Sequence, residues 1–212
     1  MAEIHLRVVD LYKGDRVSSF KKAAASGIWG VIHKATTGAI RSDNKYARRR
    51  QAALDAGLLW GAYHWGTHAD VDDQVDNFLK HAKPDEHTLV ALDYDDTPGN
   101  QMTLAQAREF LERIEAKLGR KAVLYSGHLI KQQLGNEIDA YLGAHRLWLA
   151  HYNTRNPQVQ RSWSTYWLWK YTDSRTGLEP NQVPGLPGDS RRNLDCNSYD
   201  GTRAELKAQW AS

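Results

Sequence analysis

The chain has 212 residues, 41% hydrophobic and 25% charged, a globular balance that excludes collagen-like, low-complexity and mostly disordered chains. Its 28 Lys and Arg against 25 Asp and Glu leave a net charge of +3, too mild to argue for nucleic acid. No uncharged apolar run approaches the ~20 residues of a membrane span, and the single cysteine, Cys196, excludes a disulfide framework or a cysteine-based zinc cluster.

Taken in chain order, strands and helices alternate. HLRVVDLY (5–12) reads as a strand. A helix over 18–26 follows, closed by Gly27. WGVIHKAT (29–36) is the second strand, and Asp43 is placed to cap the helix NKYARRRQAALDA, which ends at Gly57. LLWGAYHWG (58–66) is the third strand, before the helix ADVDDQVDNFLKHA and Pro84. HTLVALDYDD (87–96) is the fourth. Thr103 and Gln106 form a capping box for LAQAREFLERIEAKL, which stops at Gly119. KAVLYSG (121–127) and the short helix HLIKQQL complete a fifth strand-helix unit.

Beyond this point helices fade. RLWLAHY (146–152), STYWLWKYT (164–172) and NLDCNSY (193–199) read as strands, with a turn-rich stretch over 173–191 and a terminal helix TRAELKAQW. Apolar strands alternating with helices predict a parallel sheet covered by helices. Eight strands suffice to close a barrel. A complete eightfold strand-helix barrel takes ~250 residues, so this length suits a TIM-like α/β barrel lacking some outer helices. No linker or repeat divides the chain, which predicts a single domain over 1–212.

In such barrels chemistry sits at the C-terminal ends of the strands. The first strand ends near Asp10, the fourth near Asp93, Asp95 and Asp96, and the last carries Asp195. Asp93 and Asp95 fall on one face of a strand, their Cα atoms roughly 6–7 Å apart. Two carboxylates at that range raise one another's pKa, so one can stay protonated and serve as a general acid. Any one such Asp is explained as a cap or an ion-paired surface group. Several strand ends meeting at one mouth point to function. Closure also predicts that Asp195 and Asp10 are neighbours. The composition adds 8 Trp and 10 Tyr against 3 Phe, aromatics whose flat faces and polar edges suit sugars as well as a core. Paired carboxylates with aromatic platforms suggest cleavage of a glycosidic bond.

Ordered along the chain, VVDLYKGD, GVIHKATTGAIRSDNKY, ALDAGLLWGAYHW, LVALDYDD, AVLYSG, LWLAHY, YWLWKYT and LDCNSYDG resemble glycoside hydrolase family 25, the Chalaropsis-type lysozymes or N-acetylmuramidases. The resemblance runs from about Val8 to Tyr199. It implies a flattened barrel of five strand-helix units followed by three strands. It also implies cleavage of the β-1,4 bond between N-acetylmuramic acid and N-acetylglucosamine in peptidoglycan. By resemblance Asp95 is the acid and Asp93 stabilises the substrate's 2-acetamido group as it attacks the anomeric carbon. Asp10 and Asp195 bind substrate and tune the acid. Tyr63, Tyr125, Trp148, Tyr152 and Trp169 line the groove, and His64 hydrogen-bonds within it.

There are two departures from the family pattern. Asp95 stands where the family has Glu, one methylene longer, and Lys170 stands in a usual Trp-Gln-Tyr context. The first leaves three outcomes: a groove rebuilt around Asp95, a slow enzyme, or a glycan-binding barrel with a dead site. A barrel hydrolase acting on another amino sugar such as chitin is a further alternative.

Other features have plainer readings. His64 and His68 share an i,i+4 spacing at a strand end without a third ligand, so no metal is expected. No GxGxxG, P-loop or GxSxG occurs, and no cofactor is expected. Arg48-Arg49-Arg50 reads as a solvated helix face, and Cys196 as an inert buried thiol. The expected partner is a peptidoglycan strand, bound by a monomer with no membrane span. The N-terminal MAEIHLRVVDLYKGD lacks a basic-then-apolar signal pattern. This predicts synthesis in the cytoplasm and action on the wall after phage lysis or through a secretion system.

Overall fold

A computed structural model describes residues 2–152, 154–173, 175–189 and 194–212. The elements in chain order are β1 (Leu6–Leu11), α1 (Phe20–Ala25), β2 (Gly30–Thr37), β3 (Arg41–Ser42), α2 (Tyr46–Asp55), β4 (Leu59–Trp65), α3 (Val71–Ala82) and β5 (Leu89–Asp93). There follow α4 (Leu104–Leu118), β6 (Val123–Ser126), α5 (His128–Leu134), α6 (Ala140–Gly143), β7 (Leu147–Ala150), β8 (Leu168–Asp173), β9 (Asp195–Ser198) and α7 (Arg203–Gln209). The ring runs β1-β2-β4-β5-β6-β7-β8-β9 and closes through β9 onto β1, while β3 hangs outside as an antiparallel extension of β2.

This is the TIM-like barrel expected, with one strand reversed. β1 through β8 of the ring are parallel, but β9 is antiparallel to both its neighbours. Parallel neighbours need a crossover, usually a helix. Among the described residues no helix lies between β8 and β9, and the turn-rich segment brings the chain straight back. Asn193, assigned to the last strand from sequence, lies outside the described residues, as do 174, 190 and 191 of the turn-rich stretch. β3 and α6 were not foreseen.

Helix ends follow local chemistry. Thr103 and Gln106 form the capping box of α4, and Gly119 takes the left-handed conformation (φ 69°) that ends it. Asp43 does not cap α2, whose N-cap is Lys45. Its carboxylate instead accepts from the backbone N–H of Lys13 and Lys45, 2.6 and 2.9 Å away, tying the β1–α1 loop to the start of α2.

Strand alternation divides the apolar residues into two shells. Val9, Leu11, Val31, Trp60, Val90, Leu92 and Leu124 face outward onto Phe20, Phe78, Phe110, Leu111 and Ile114. Val8, Ile32, Leu89, Ala91, Val123 and Leu168 fill the barrel, where Tyr199, Leu206 and Trp210 join them. Trp210 closes the bottom: its Nε1 donates to the Trp60 carbonyl at 2.7 Å, and its ring fills the space a side chain at Gly30 would need. Among the described residues no helix is long and apolar enough to cross a membrane. Trp210→Ala should cost about 3–5 kcal/mol, read by urea unfolding, because it removes a wholly buried indole and leaves a cavity at the barrel floor.

Candidate active site

The upper layer of inward positions carries polar groups instead of aliphatic ones. Register partners around the ring are Asp195 with Asp10, Lys34 with Tyr63, then Trp65, Asp93, Tyr125 and Trp148 in sequence. They open into a cavity of about 400 Å³, which Tyr12, Asp15, Asp95, Tyr152, Lys170, Asp173 and Arg175 also line. A larger cavity of about 660 Å³ lies outside the barrel between α1 and α2; of the carboxylates lining the mouth it reaches only Asp15.

Of the residues proposed from sequence, Asp10, Asp93, Asp95, Asp195, Tyr63, Tyr125, Trp148 and Tyr152 meet in this mouth. β9 runs downward, so Asp195 begins its strand yet stands at the top beside Asp10. Lys170 Nζ donates to Asp10 Oδ2 at 2.9 Å and to Asp195 Oδ2 at 2.8 Å. Asn197 Nδ2 donates to Asp10 Oδ1 at 2.9 Å, and Trp148 Nε1 donates to Asn197 Oδ1 at 2.6 Å. Asp10 is thus engaged on both oxygens by the protein.

Asp93 differs. It ends β5 buried, and its Oδ1 has no hydrogen-bond partner among the described residues. Burial, then the neighbouring Asp95 charge, push it up to about 8 against the opposing ammoniums of Lys34 and Lys170. Asp95 lies just beyond the strand and is also raised, by burial first. The two titrate as a pair that keeps a proton at neutral pH.

The aromatic wall is built by edge contacts. Tyr125 meets Trp148 at 4.7 Å and Tyr63 meets it at 6.3 Å between centroids, and the Tyr125 and Tyr152 hydroxyls are 3.1 Å apart. Lys34 Nζ lies 4.0 Å from the centre of the Trp65 ring, a cation–π contact on the cavity wall. Tyr12 is set by Arg49, whose guanidinium donates to the Tyr12 carbonyl (2.8 Å), to His33 Nε2 (2.9 Å) and to the Asp15 carbonyl. His33 Nδ1 in turn donates to the Lys34 carbonyl at 2.8 Å, and burial lowers the ring to about 4, so it is neutral.

Two assignments are corrected by alternation. His64 follows the inward Tyr63, so it faces outward and is fully buried. It bonds Thr36 Oγ1 at 2.8 Å and Gln74 Oε1 at 3.1 Å and stacks on Phe110 at 4.8 Å. Trp169 sits between the inward Leu168 and Lys170, so it too faces outward, with Nε1 donating to the His151 carbonyl at 2.7 Å. The arginine triplet is not one solvated face. Arg49 is buried as described, Arg50 pairs with Asp85 at 2.6 Å, and Arg48 is exposed. Lys34 and Trp65 were missed, although each lies two residues from an inward position, after Ile32 and Tyr63. Burial raises the Cys196 thiol and keeps it inert.

The family profile described as glycosyl hydrolases family 25 matches residues 9–178. Lysozyme M1 of Streptomyces globisporus is 27% identical over 204 residues, covering 90% of this chain and 66% of that protein. The uncharacterized protein YegX of Escherichia coli O157:H7 is 27% identical over 181 residues, covering 82% of this chain and 60% of its own. The chain therefore spans 60 to 66% of the length of these two relatives. The crystal structure of a bacterial lysozyme from Streptomyces coelicolor superposes with a TM-score of 0.83 at 22% identity, covering 97% of both chains. That likeness establishes the barrel.

Asp93 has a measurable effect on stability. Its folded pKa of about 8 lies above the ordinary 3.8, so it subtracts stability progressively as pH rises between those values and subtracts nothing below them. Asp93→Asn, which stays neutral, should therefore be more stable than the wild type at pH 8 by more than about 1.4 kcal/mol, the worth of a single pKa unit. In chemical denaturation the difference should shrink towards zero as pH approaches 4.

Proposed function

The chain belongs to glycosyl hydrolases family 25, and on that premise we propose that it is a peptidoglycan hydrolase. In this reading it cuts the β-1,4 bond between N-acetylmuramic acid and N-acetylglucosamine, with Asp95 as acid and Asp93 as partner to the 2-acetamido group. The observation that supports this most is the Asp93–Asp95 pair on the wall of an aromatic-lined cavity, with Asp93 Oδ1 buried and without a partner among the described residues.

The chemistry follows from where the proton sits. Before substrate docks, burial favours neutral Asp93. A docked acetamido N–H donates to Asp93 and favours its carboxylate, which leaves the pair's proton on Asp95, beside the leaving oxygen. Asp95 gives that proton to the glycosidic oxygen as the bond to the anomeric carbon breaks. The acetamido carbonyl oxygen forms the new bond to that carbon, and Asp93 balances the charge that develops on nitrogen. Water then adds to the same carbon, its proton going to Asp95, and the acetamido group is restored. Substrate assistance of this kind departs from the usual two-carboxylate scheme.

Tyr63, Tyr125, Trp148 and Tyr152 supply the faces and edges on which sugar rings rest. Asp95 is one methylene shorter than the family's Glu, and geometry errors near 1 Å can cost about 100-fold. A glycan-binding barrel with weak or no turnover is accordingly the second reading, and the same experiment separates the two.

Release of reducing ends from purified peptidoglycan should fall at least ~100-fold in Asp95→Asn, the scale of a lost general acid. Asp95→Glu should equal or exceed the wild type. Activity should also decline above about pH 8, as the pair loses its last proton. A wild type that binds glycan but releases nothing would favour the binding barrel, and equal action on chitin would shift the substrate class.

A further inference from the structure

Lys170 stands where β8, β9 and β1 meet at the closure of the ring. Its side chain is 9% exposed, yet it carries a full charge between two carboxylates. An ammonium withdrawn from water to this extent is costly unless it is paired and hydrogen-bonded. Here the pairing is complete and directional: Asp10 and Asp195 each accept from Nζ, Asn197 occupies the other oxygen of Asp10, and Trp148 fixes Asn197. The ammonium also lies 5.3 Å from the centre of the Tyr125 ring.

The charged and titratable groups around Lys170 come from every strand that faces it. They are Asp10 on β1 with Tyr12 and Asp15 beyond it, Lys34 on β2, Tyr63 on β4, Asp93 and Asp95 at the end of β5, Tyr125 on β6, Tyr152 beyond β7, Asp173 at the end of β8 with Arg175 beyond it, and Asp195 on β9; burial also raises Asp15, to about 7. Asp10 and Asp195 are register partners. Without a cation between them, two facing carboxylates compete for a proton. With Lys170 in place both act as anions, and the same positive charge reaches the Asp93–Asp95 pair.

We propose that Lys170 is a positioning residue for the hydrolysis: it locks Asp10 and Asp195 into an anion–cation–anion triad and so keeps the mouth's exchangeable proton off these two carboxylates. The proposal rests on the hydrolase reading for its catalytic consequence, but the triad itself can be tested without substrate. The electrostatic balance agrees with it. Burial pushes Asp10 up to about 6, and Lys170 and the Asn197 amide oppose that rise, so Asp10 is ionised at pH 7 while Asp93, at about 8, is not. A lysine that only filled space could be replaced by a hydrophobic residue of similar volume with little loss.

The test compares Lys170→Gln, Lys170→Met and Lys170→Arg with the wild type by carbon-13 carboxyl titration and by the pH dependence of kcat/KM on peptidoglycan. In the wild type Asp10 should ionise below pH 7. In the Gln and Met variants its midpoint should rise by about one unit or more, the effect of losing an adjacent opposite charge. The acidic limb of the rate profile should move up with it. Near pH 6, kcat should drop at least about fivefold while KM stays within about threefold, and Lys170→Arg should keep the wild-type limb. Gln and Met variants with wild-type titration and wild-type limbs would overturn the proposal. Should those variants not fold, a wild-type Asp10 that still holds its proton above pH 7 would overturn it equally. The titration needs no glycan, so it separates failure of the triad from failure of the hydrolase reading.

Discussion

Closing the sheet into a ring forces every strand residue to face either the barrel interior or the surrounding helices, and most of the molecule follows from that constraint. The outward residues join the helix faces in a continuous apolar layer. The inward residues stack aliphatic side chains low in the barrel and polar ones high. Trp210 closes the floor from the terminal helix, so the mouth is the end left open. Reversal of β9 puts Asp195 beside Asp10 although it begins its strand, completing a collar of carboxylates that an all-parallel ring would have left open on one side.

That collar would repel itself without its two ammoniums, and they act differently. Lys170 is bonded into the wall, whereas Lys34 rests against aromatic rings on the cavity surface. The mouth therefore has a region of fixed charge, where Asp10, Lys170 and Asp195 meet, and a region where a proton can move, at Asp93 and Asp95. Separating the two on opposite sides of the ring lets the site keep a protonated carboxyl at neutral pH without protonating the whole collar. Asp93 bears the cost: a buried carboxyl whose free oxygen has no protein partner among the described residues is a stability loss, the kind of local cost that is expected at a functional site.

Much of this could be read from the chain. VVD, LVALDYD and LDCN marked the strand ends that carry the carboxylates, and the Thr103–Gln106 box and Gly119 marked the bounds of α4. His64 and Trp169 were misplaced because family correspondence was followed where alternation pointed the other way: each adjoins an inward residue and so faces the helices. Lys34 and Trp65 could have been found by the same count. The reversal of β9 was visible only as a missing helix. The role of Arg49 was not legible, because a run of three arginines on a helix looks solvated until the β1–α1 loop is folded over the middle one.

Family membership, the TIM-like barrel and the meeting of Asp10, Asp93, Asp95 and Asp195 at one mouth agree with a glycan substrate, and the proposed activity turns on the shorter carboxyl at Asp95. Mass spectrometry of the soluble products from purified peptidoglycan digested by the wild-type protein tests this most directly. The account predicts fragments ending in reducing N-acetylmuramic acid. Fragments ending in reducing N-acetylglucosamine, or no soluble fragments at any protein concentration, would contradict it.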